Sequence, residues 1–444
     1  MMKLKKQNIN NQKQTIKSFL FLLIRLGICI LIGFILMNAV YAIPTERIEK
    51  NVAASSDIFE KEGAWPSFTE LSYCNSDRDN YTDAWMLLEA AYNGEGSILH
   101  NALSNYRYDI DGLLTTESLV QHYKHSQSFN KKIIYGRYWN GYLVYLKPLL
   151  YFFNFGAIRA INVALQIGLT VIAIYLLIKN KQHFLLIPYF LSFLMLMPFS
   201  MILSIQQSVC YTLIKLGTIS LLYLYQKNKL YEKYLSLFLY LGACTSFIDL
   251  LTYPLTTFGI SAVLFFCLTK HNKIKDAFLD LLKIGFSWCI GYGGMWTSKW
   301  LIGTALTSNN LIKDGITSFK YRSGNQAVID GVTENYSVIN TIYNNLKSFL
   351  LTPATLVLLV VSFVLVFAII KALPRKKEAV KPMLLAAFPF LIISLSPFVW
   401  YTVVLNHSAI HYYLLSNKEL IISVFAILVM LTNLNKTINK EAVV

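Results

Sequence analysis

Long apolar runs alternate with short polar segments along most of the chain. The first run, Ser18 to Ala42, follows a polar and basic N-terminus. Runs of about 20 apolar residues are long enough to cross a bilayer as helices. Nine further runs are predicted as helices near residues 158–178, 184–203, 208–225, 232–248, 253–269, 277–297, 345–371, 383–403 and 416–435. The pattern predicts an all-α polytopic membrane protein with about ten transmembrane helices.

A polar insertion interrupts this pattern directly after the first helix. It contains 14 of the 24 acidic residues of the chain. The segment from Asp79 to Tyr92 has apolar residues at helical spacing, and Asn80 or Thr82 is the expected N-cap. The segment from Asn140 to Phe155 is expected to form an interfacial amphipathic helix. The insertion is therefore predicted to be mostly helical.

The distribution of basic residues predicts the orientation of the chain. The net charge is +16, and Lys and Arg cluster in alternate turns between the predicted helices. Basic loops stay on the cytoplasmic side, so this pattern indicates topology in the plasma membrane and not a nucleic-acid partner. The N-terminus is then cytoplasmic and the insertion extracytoplasmic. The predicted parts are a cytoplasmic tail with the first helix (1–42), an extracytoplasmic domain (43–157), and a transmembrane bundle (158–444) with an outer loop at 298–344.

Composition and aromatic placement agree with this interpretation. The chain is 55% hydrophobic and 14% charged, whereas soluble domains are roughly 25% charged. All seven tryptophans lie in the insertion or on the predicted outer side. An aromatic belt would place tryptophan at both interfaces. Two interpretations stay open: a belt together with the core of the insertion, or rings that stack on a sugar or line a lipid groove.

Three acidic residues of the insertion are the first candidates for chemistry: Asp77, Asp79 and Asp83. Asp79 and Asp83 are four residues apart, so on a helix they share a face. Such a pair can act as a general base or bind a divalent cation such as Mg²⁺ or Mn²⁺ through oxygen ligands. The alternative is helix capping, since acids are favourable in the first turn of a helix.

Basic residues near the outer interface are candidates for binding a phosphate. Arg137 and Arg159 suit this role because arginine binds phosphate in bidentate fashion, and Lys299 ends a predicted helix on the same side. The alternative for the two arginines is contact with lipid headgroups, and the alternative for Lys299 is pairing with Asp249. Trp139, next to Arg137, is among the rings expected to contact substrate.

Asp249, His407 and His411 complete the candidate set for substrate binding. Asp249 is an isolated charge in apolar surroundings on the outer side, for which pairing with a nearby base is the alternative. His407 and His411 are four residues apart and share a helical face. Because no carboxylate lies nearby in sequence as a third metal ligand, phosphate contact or a structural hydrogen bond is expected instead of zinc.

The positions of charged residues within the predicted helices help to decide whether the protein is an ion-coupled transporter. Lys215 is placed in the outer half of its helix, and no charge is expected at the middle of any helix. Ion-coupled transporters keep ionisable groups near the midplane. The pattern therefore argues against such a transporter.

Five stretches and the order of the predicted elements carry a resemblance to a known family. The stretches are SDRDNYTDAW, RYWNGYLVYLKPLLYFFNFGAIRAIN, FIDLLTYPLTT, GGMWTSKW and VWYTVVLNHSAIH. A first helix followed by a large outer loop and then a multi-helix bundle resembles the type C (GT-C) membrane glycosyltransferases. The resemblance implies a polyprenyl-phosphate sugar donor.

The resemblance also implies roles for the candidate residues. An acid of the first outer loop is the usual base in such enzymes, which points to Asp77 or Asp79, with Asp83 behind them. That acid often lies soon after the first helix, where this chain has Glu46 and Glu49. The choice of base therefore stays open. Arg137, Arg159 and Lys299 are implied to hold the lipid phosphate.

The function expected from the sequence is transfer of a sugar from polyprenyl phosphate to a cell-surface glycan or lipid acceptor at the outer face. A divalent cation is optional in this expectation. Three alternatives stay open: a transporter or flippase for a lipid-linked glycan, a polymerase or ligase for surface polysaccharide, and a non-catalytic assembly subunit.

Overall fold

The computed structural model describes residues 2–71, 74–329, 332–372 and 380–441, and the chain is mostly helical. Two short 3₁₀ helices, His183–Leu185 and Ser416–Leu420, accompany the α-helices. The α-helices are α1 (Met2–Tyr41), α2 (Thr45–Ala53), α3 (Ser56–Glu62), α4 (Asn80–Ala90), α5 (Ile98–Ser104), α6 (Thr115–His125), α7 (Leu143–Phe152), α8 (Phe155–Lys179), α9 (Leu186–Leu194), α10 (Pro198–Met201), α11 (Ile205–Gln226), α12 (Leu230–Ile248), α13 (Leu255–Leu268), α14 (Ile274–Leu306), α15 (Leu311–Ser323), α16 (Val338–Leu350), α17 (Ala354–Ala372), α18 (Val380–Ser394), α19 (Ser396–Val403), α20 (Leu405–Ile410) and α21 (Ile421–Glu441).

Two antiparallel strand pairs occur in the described parts of the chain. Strands β1 (Tyr106–Asp109) and β2 (Lys131–Ile134) pair within the insertion, with Tyr106 opposite Ile134. Strands β3 (Gln326–Ile329) and β4 (Val332–Asn335) pair within the outer loop.

Multiple membrane crossings, as predicted, are supported by the lengths and composition of the helices. Within the described residues, six helical segments are long and apolar enough to cross a bilayer: Phe19–Tyr41, Phe155–Lys179, Ile205–Gln226, Ala354–Lys371, Pro382–Val403 and Ser416–Thr437. The chain is therefore a multi-pass membrane protein.

The other predicted crossings correspond to shorter, broken or more polar elements. The predicted helix at 184–203 is divided into a 3₁₀ turn, α9 and the four-residue α10. Helix α13 has only 14 residues, and α12 and α14 carry charged residues in their first turns. The predicted helix at 345–371 breaks at 351–353 into α16 and α17.

Helices are the main regular structure of the insertion and include about half of its residues, fewer than predicted, and its N-cap prediction is wrong. The carboxylate of Asp79 accepts a hydrogen bond from the backbone N–H of Thr82 at 3.0 Å and caps α4. The side chain of Asn80 instead donates to Glu62 and to the carbonyl of Gly63. Asp79 takes the cap position because the chain turns into the helix one residue earlier than the spacing suggested.

The end of the insertion is joined closely to the bundle. The backbone N–H of Gly141 donates to the carbonyl of Phe247 at 2.8 Å, and a Cβ at Gly141 would overlap the Phe247 ring. The indole N–H of Trp139 donates to the carbonyl of Met295 at 2.7 Å. Glycine is therefore required at residue 141 for the insertion to reach α12.

Helices α12 and α14 cross with their backbones in contact. A Cβ at Gly242 would overlap the carbonyl oxygen of Trp288, and a Cβ at Gly291 would overlap the carbonyl oxygen of Leu239. Small residues at a helix crossing permit such close approach in membrane proteins. The two glycines therefore fix the distance between the helices.

A buried lysine lies at the middle of α11, so the expectation that no charge occupies the middle of a helix is wrong. Lys215 is the eleventh of the 22 residues of α11 and is 1% exposed. Its ammonium group donates to the side-chain and backbone oxygens of Gln166 at 3.1 and 3.2 Å and lies 3.7 Å from the ring centre of Tyr211. Polar groups on two facing helices replace the water that the charge has lost.

Candidate functional site

A row of aromatic rings follows the junction between the insertion and the bundle. Its members are Trp85, Tyr135, Tyr138, Trp296 and Trp300, and successive ring centres are 4.3, 5.1, 5.5 and 5.6 Å apart. We call this row the aromatic seam. It joins α4, the segment before α7, and the C-terminal end of α14. The tryptophans of the seam thus belong to one row of contacting rings.

Three arginines lie over rings of the seam. The guanidinium carbon of Arg107 is 3.6 Å from the ring centre of Trp85, and that of Arg137 is 4.1 Å from Tyr135. Arg322 lies 5.9 Å from the ring centre of Tyr138. All three are within the range of cation–π attraction. Arg137 was among the predicted phosphate ligands, whereas Arg107 and Arg322 were not predicted.

The arginines are only loosely paired with carboxylates. Arg107 is 3.4 Å from Asp109, and Arg137 is 3.4 Å from Asp314. The Nε atoms of both arginines and Nη1 of Arg107 are buried without a hydrogen-bond partner among the described residues. Buried donors are almost always paired in native proteins. These N–H groups are therefore suited to hold an anion against the seam.

Neutral donors extend this arrangement along the same rings. The indole N–H groups of Trp85 and Trp296 and the hydroxyl of Tyr138 are also buried without a partner in the described ranges. Burial raises the pKa of Tyr138 to about 12, so its hydroxyl keeps its proton near neutral pH. The seam therefore presents ring faces and hydrogen-bond donors together.

His407 and Arg322 are linked by a hydrogen bond that fixes the histidine tautomer. Nη1 of Arg322 lies 2.7 Å from Nδ1 of His407. Arginine has no acceptor, so Nδ1 accepts and the proton of the neutral ring is on Nε2. Burial lowers the pKa of His407 well below its usual value, and repulsion from His411 and Arg322 lowers it further.

His411 is also neutral at physiological pH. Burial and the charge of Arg322 lower its pKa to about 4, and its ring centre is 4.6 Å from that of His407. The two predicted histidines are therefore neighbours, and any contact with phosphate would use N–H donation and not positive charge.

Asp249 lies in the turn between α12 and α13 and is 4% exposed. Its carboxylate accepts hydrogen bonds from the backbone N–H and the hydroxyl of Thr252, at 2.9 and 2.5 Å. Leu251 between them has a φ of +67°, which a branched side chain rarely adopts. Burial raises the pKa of Asp249, and its charge contributes to the raised pKa of Tyr138. This predicted residue is therefore a buried carboxylate beside the seam.

The carboxylates of Asp79 and Asp83 both bind backbone N–H groups. Asp83 accepts from Ile205 and Gln206, at 3.1 and 2.8 Å, and so caps α11 as Asp79 caps α4. Burial raises the pKa of both acids, that of Asp83 to about 7. The capping interpretation thus describes these two acids in this structure.

Asp77 is the member of the acidic trio that reaches a cavity. The hydroxyl of Ser67 donates to its carboxylate, and Asp77 lines a polar cavity of about 20 Å³ together with Lys418, Asn75 and Gln207. This volume has room for about one water molecule. Lys418 was not predicted, because nothing in its sequence context distinguishes it from a lysine at a membrane interface.

Three other predicted ligands are bound by the chain itself. Arg159 contacts Glu62 at 2.9 Å and the side-chain oxygen of Asn80 at 2.6 Å. Lys299 donates to the side chain of Asn105 at 2.7 Å and is fully buried, as is Trp139. These contacts join the insertion to the bundle.

A buried carboxylate that the sequence did not reveal lies inside the insertion, on α4. Glu89 is fully buried and accepts a hydrogen bond from the hydroxyl of Tyr142. Burial raises its pKa to about 7, although Arg107 and Lys299 attract its charge and lower the pKa. The sequence feature that could have pointed to Glu89 is its position on the same predicted helix as Asp83, six residues later.

Glu89→Gln should reduce the pH dependence of stability between about pH 4.5 and 7. The folded state raises the pKa of Glu89 and so favours its protonated form, and this contribution is lost as pH rises through that window. A change from 4.5 to about 7 corresponds to about 3 kcal/mol. Unfolding temperatures in detergent at several pH values would measure it, with Glu95→Gln, a variant of an exposed acid, as the control. An unchanged pH slope would contradict the expectation.

The described residues contain no group of three or more His, Cys, Asp or Glu side chains that could hold a metal ion. Asp79 and Asp83, predicted as an optional cation site, bind separate helix N-termini instead. The residues present therefore do not fit a divalent cation at this pair.

The fold and the seam define a multi-pass, mostly helical membrane protein with an aromatic and cationic site between its insertion and its bundle. Protein families, curated proteins and solved structures were compared with the chain, and none of them matches it.

Proposed function

We propose that the protein is a membrane glycosyltransferase that moves a sugar from a polyprenyl-phosphate donor to a cell-surface glycan or lipid acceptor. The observation that supports this is the aromatic seam with its three arginines and its buried, unpaired donors. In this proposal the seam faces the outer side of the plasma membrane and the N-terminus is cytoplasmic. The shorter helices then complete about ten crossings in a GT-C-like arrangement.

The seam has groups suited to bind both the sugar and the phosphate of such a donor. Aromatic faces pack against the C–H groups of a sugar ring, and the neighbouring N–H and O–H donors bind its hydroxyls. Arginine binds phosphate through paired, charge-assisted hydrogen bonds. Arg107, Arg137 and Arg322 lie along the same rings, so guanidinium groups and aromatic rings are side by side in the seam.

The reaction needs a base and an electrostatic site for the leaving group. The acceptor hydroxyl oxygen forms a bond to the anomeric carbon while the bond from that carbon to the phosphate oxygen breaks. Asp249 takes the hydroxyl proton, and the polyprenyl phosphate leaves with the electron pair, stabilised by the arginines. Burial raises the pKa of Asp249, which makes it a stronger base than an exposed aspartate. No step requires a metal.

Arg137→Gln and Arg322→Gln should each weaken binding of farnesyl phosphate by about tenfold, because one charge-assisted contact to phosphate contributes about 1.5–3 kcal/mol. Farnesyl phosphate serves as a short probe, measured by thermal shift or calorimetry with the full chain in detergent. The control is Arg47→Gln, which changes an exposed arginine at Tyr151, remote from the seam. Equal affinity in all three variants would argue against a phosphate site at the seam.

One observation favours transport as a second candidate. Lys215 lies at the middle of α11, and Gln166 and Thr212 continue a polar row between α8 and α11. Polar groups at this depth mark substrate or ion paths in transporters.

If Lys215→Met stopped translocation of a lipid-linked glycan and left sugar transfer unchanged, a flippase would be the better description. A polymerase for surface polysaccharide would use the same site with a longer donor.

A further inference from the structure

Helix α16 carries apolar and polar residues on distinct faces, and part of each face is exposed. Ile339 is 79% exposed and Tyr343 61% exposed. These two residues and Leu350 follow one another at spacings of four and seven, which places them on one side of the helix. Asn340, the neighbour of Ile339, is exposed about 100° further round. A strongly apolar stripe is therefore open on one side of α16.

The opposite side of α16 is polar and is bound inside the protein. Asn345 donates to the carbonyl of Ser408 at 3.0 Å and accepts from the hydroxyl of Ser416 at 2.8 Å. Ser348 accepts from Asn75 at 2.7 Å and from Asn417 at 3.1 Å. The exposed apolar stripe therefore does not result from a helix that is loosely placed. Its orientation is fixed by hydrogen bonds to the insertion and to the 408–417 segment.

The position of α16 indicates what covers the stripe. The helix has 13 residues, about 20 Å of length, and is too short to cross a bilayer. Only three residues separate it from α17. In the segment Ala354–Lys371 of α17, only 6% of the residues are buried inside the protein. The stripe is thus followed in the chain by an apolar helix whose residues are almost all at the surface of the protein. Lys347 is exposed beside the stripe, on the same flank of the helix as Asn340, and suits the headgroup region.

We infer that α16 is an interfacial helix whose stripe of Ile339, Tyr343 and Leu350 lies in the outer leaflet of the bilayer. Amphipathic helices of this kind lie in the plane of the interface with their apolar face among the acyl chains. Because α16 is bonded to Ser408 and Ser416, it holds the segment containing His407 and His411 at the membrane surface. This inference depends on the multi-pass fold and on the proposed orientation, and not on the proposed reaction.

Photocrosslinking with the full chain tests this inference. Benzoylphenylalanine is placed at Ile339 or, in a matched variant, at Asn340, and the protein is reconstituted into phosphatidylcholine vesicles containing phosphatidylglycerol. We expect several-fold more lipid adducts by mass spectrometry at Ile339 than at Asn340. Tyr343 provides a second lipid-facing position if the Ile339 variant does not fold. Equal lipid labelling at the two positions, or adducts to a second protein chain in place of lipid, would overturn the inference.

Discussion

Gly291→Leu should prevent the protein from accumulating in the membrane. The side chain would meet the carbonyl oxygen of Leu239, a backbone atom that cannot move aside without separating α12 from α14. Overpacking a well-packed interior typically costs 1–3 kcal/mol, and a clash with backbone is at the upper end or beyond it. The measurement is the amount of monodisperse protein extracted by mild detergent, together with its unfolding temperature.

The same helix offers a matched control for this substitution. Gly293 is two residues further along α14, and a Cβ there meets no atom within 4 Å. Gly293→Leu should therefore accumulate normally, although it adds the same side chain to the same helix. Comparable yields of the two leucine variants would show that the α12–α14 crossing does not require close backbone contact.

Asp249→Asn should lower the rate of sugar transfer by about 10²–10⁴-fold, the range expected when a general base is removed. Asparagine keeps an oxygen that can accept from Thr252, so the turn around Leu251 should persist while the negative charge is lost. The effect should appear in kcat more than in KM, because the base acts on the acceptor hydroxyl during the reaction.

Two comparisons separate a catalytic role of Asp249 from a structural one. Asp111→Asn removes an exposed carboxylate that is paired with Lys131, and it should leave transfer unchanged. An unchanged unfolding temperature in Asp249→Asn would show that the turn survives. Full transfer in Asp249→Asn together with loss in Asp77→Asn would assign the base to Asp77, as the resemblance to GT-C enzymes implies.

The broad architecture could be predicted because it depends on simple properties of the chain. Runs of about 20 apolar residues identify membrane crossings without knowledge of their neighbours. The helical spacing from Asp79 to Tyr92 likewise indicates α4 from local sequence alone. The breaks at 351–353 and between α9 and α10 were missed because the apolar pattern continues on both sides of them, although Pro353 and Pro198 stand at these breaks and proline disfavours a continuous helix.

The candidate site was less accessible to prediction because it depends on contacts between distant segments. Arg107 and Arg322 belong to different parts of the chain and meet the seam only after folding. The same limit applies to Asp83, whose partners Ile205 and Gln206 are more than 120 residues away. Arg137 and Asp249 could be recognised because each is a charge in an aromatic or apolar stretch.

The crossing of α12 and α14 has a geometric consequence for the candidate site. Both helices run from this contact towards the insertion, and Asp249 follows Gly242 by seven residues while Trp296 follows Gly291 by five. These intervals correspond to about 10 and 8 Å along a helix. The two glycines therefore act as a spacer that sets the separation between a carboxylate and an indole well above them. The width of the site is determined by two positions that no ligand can touch.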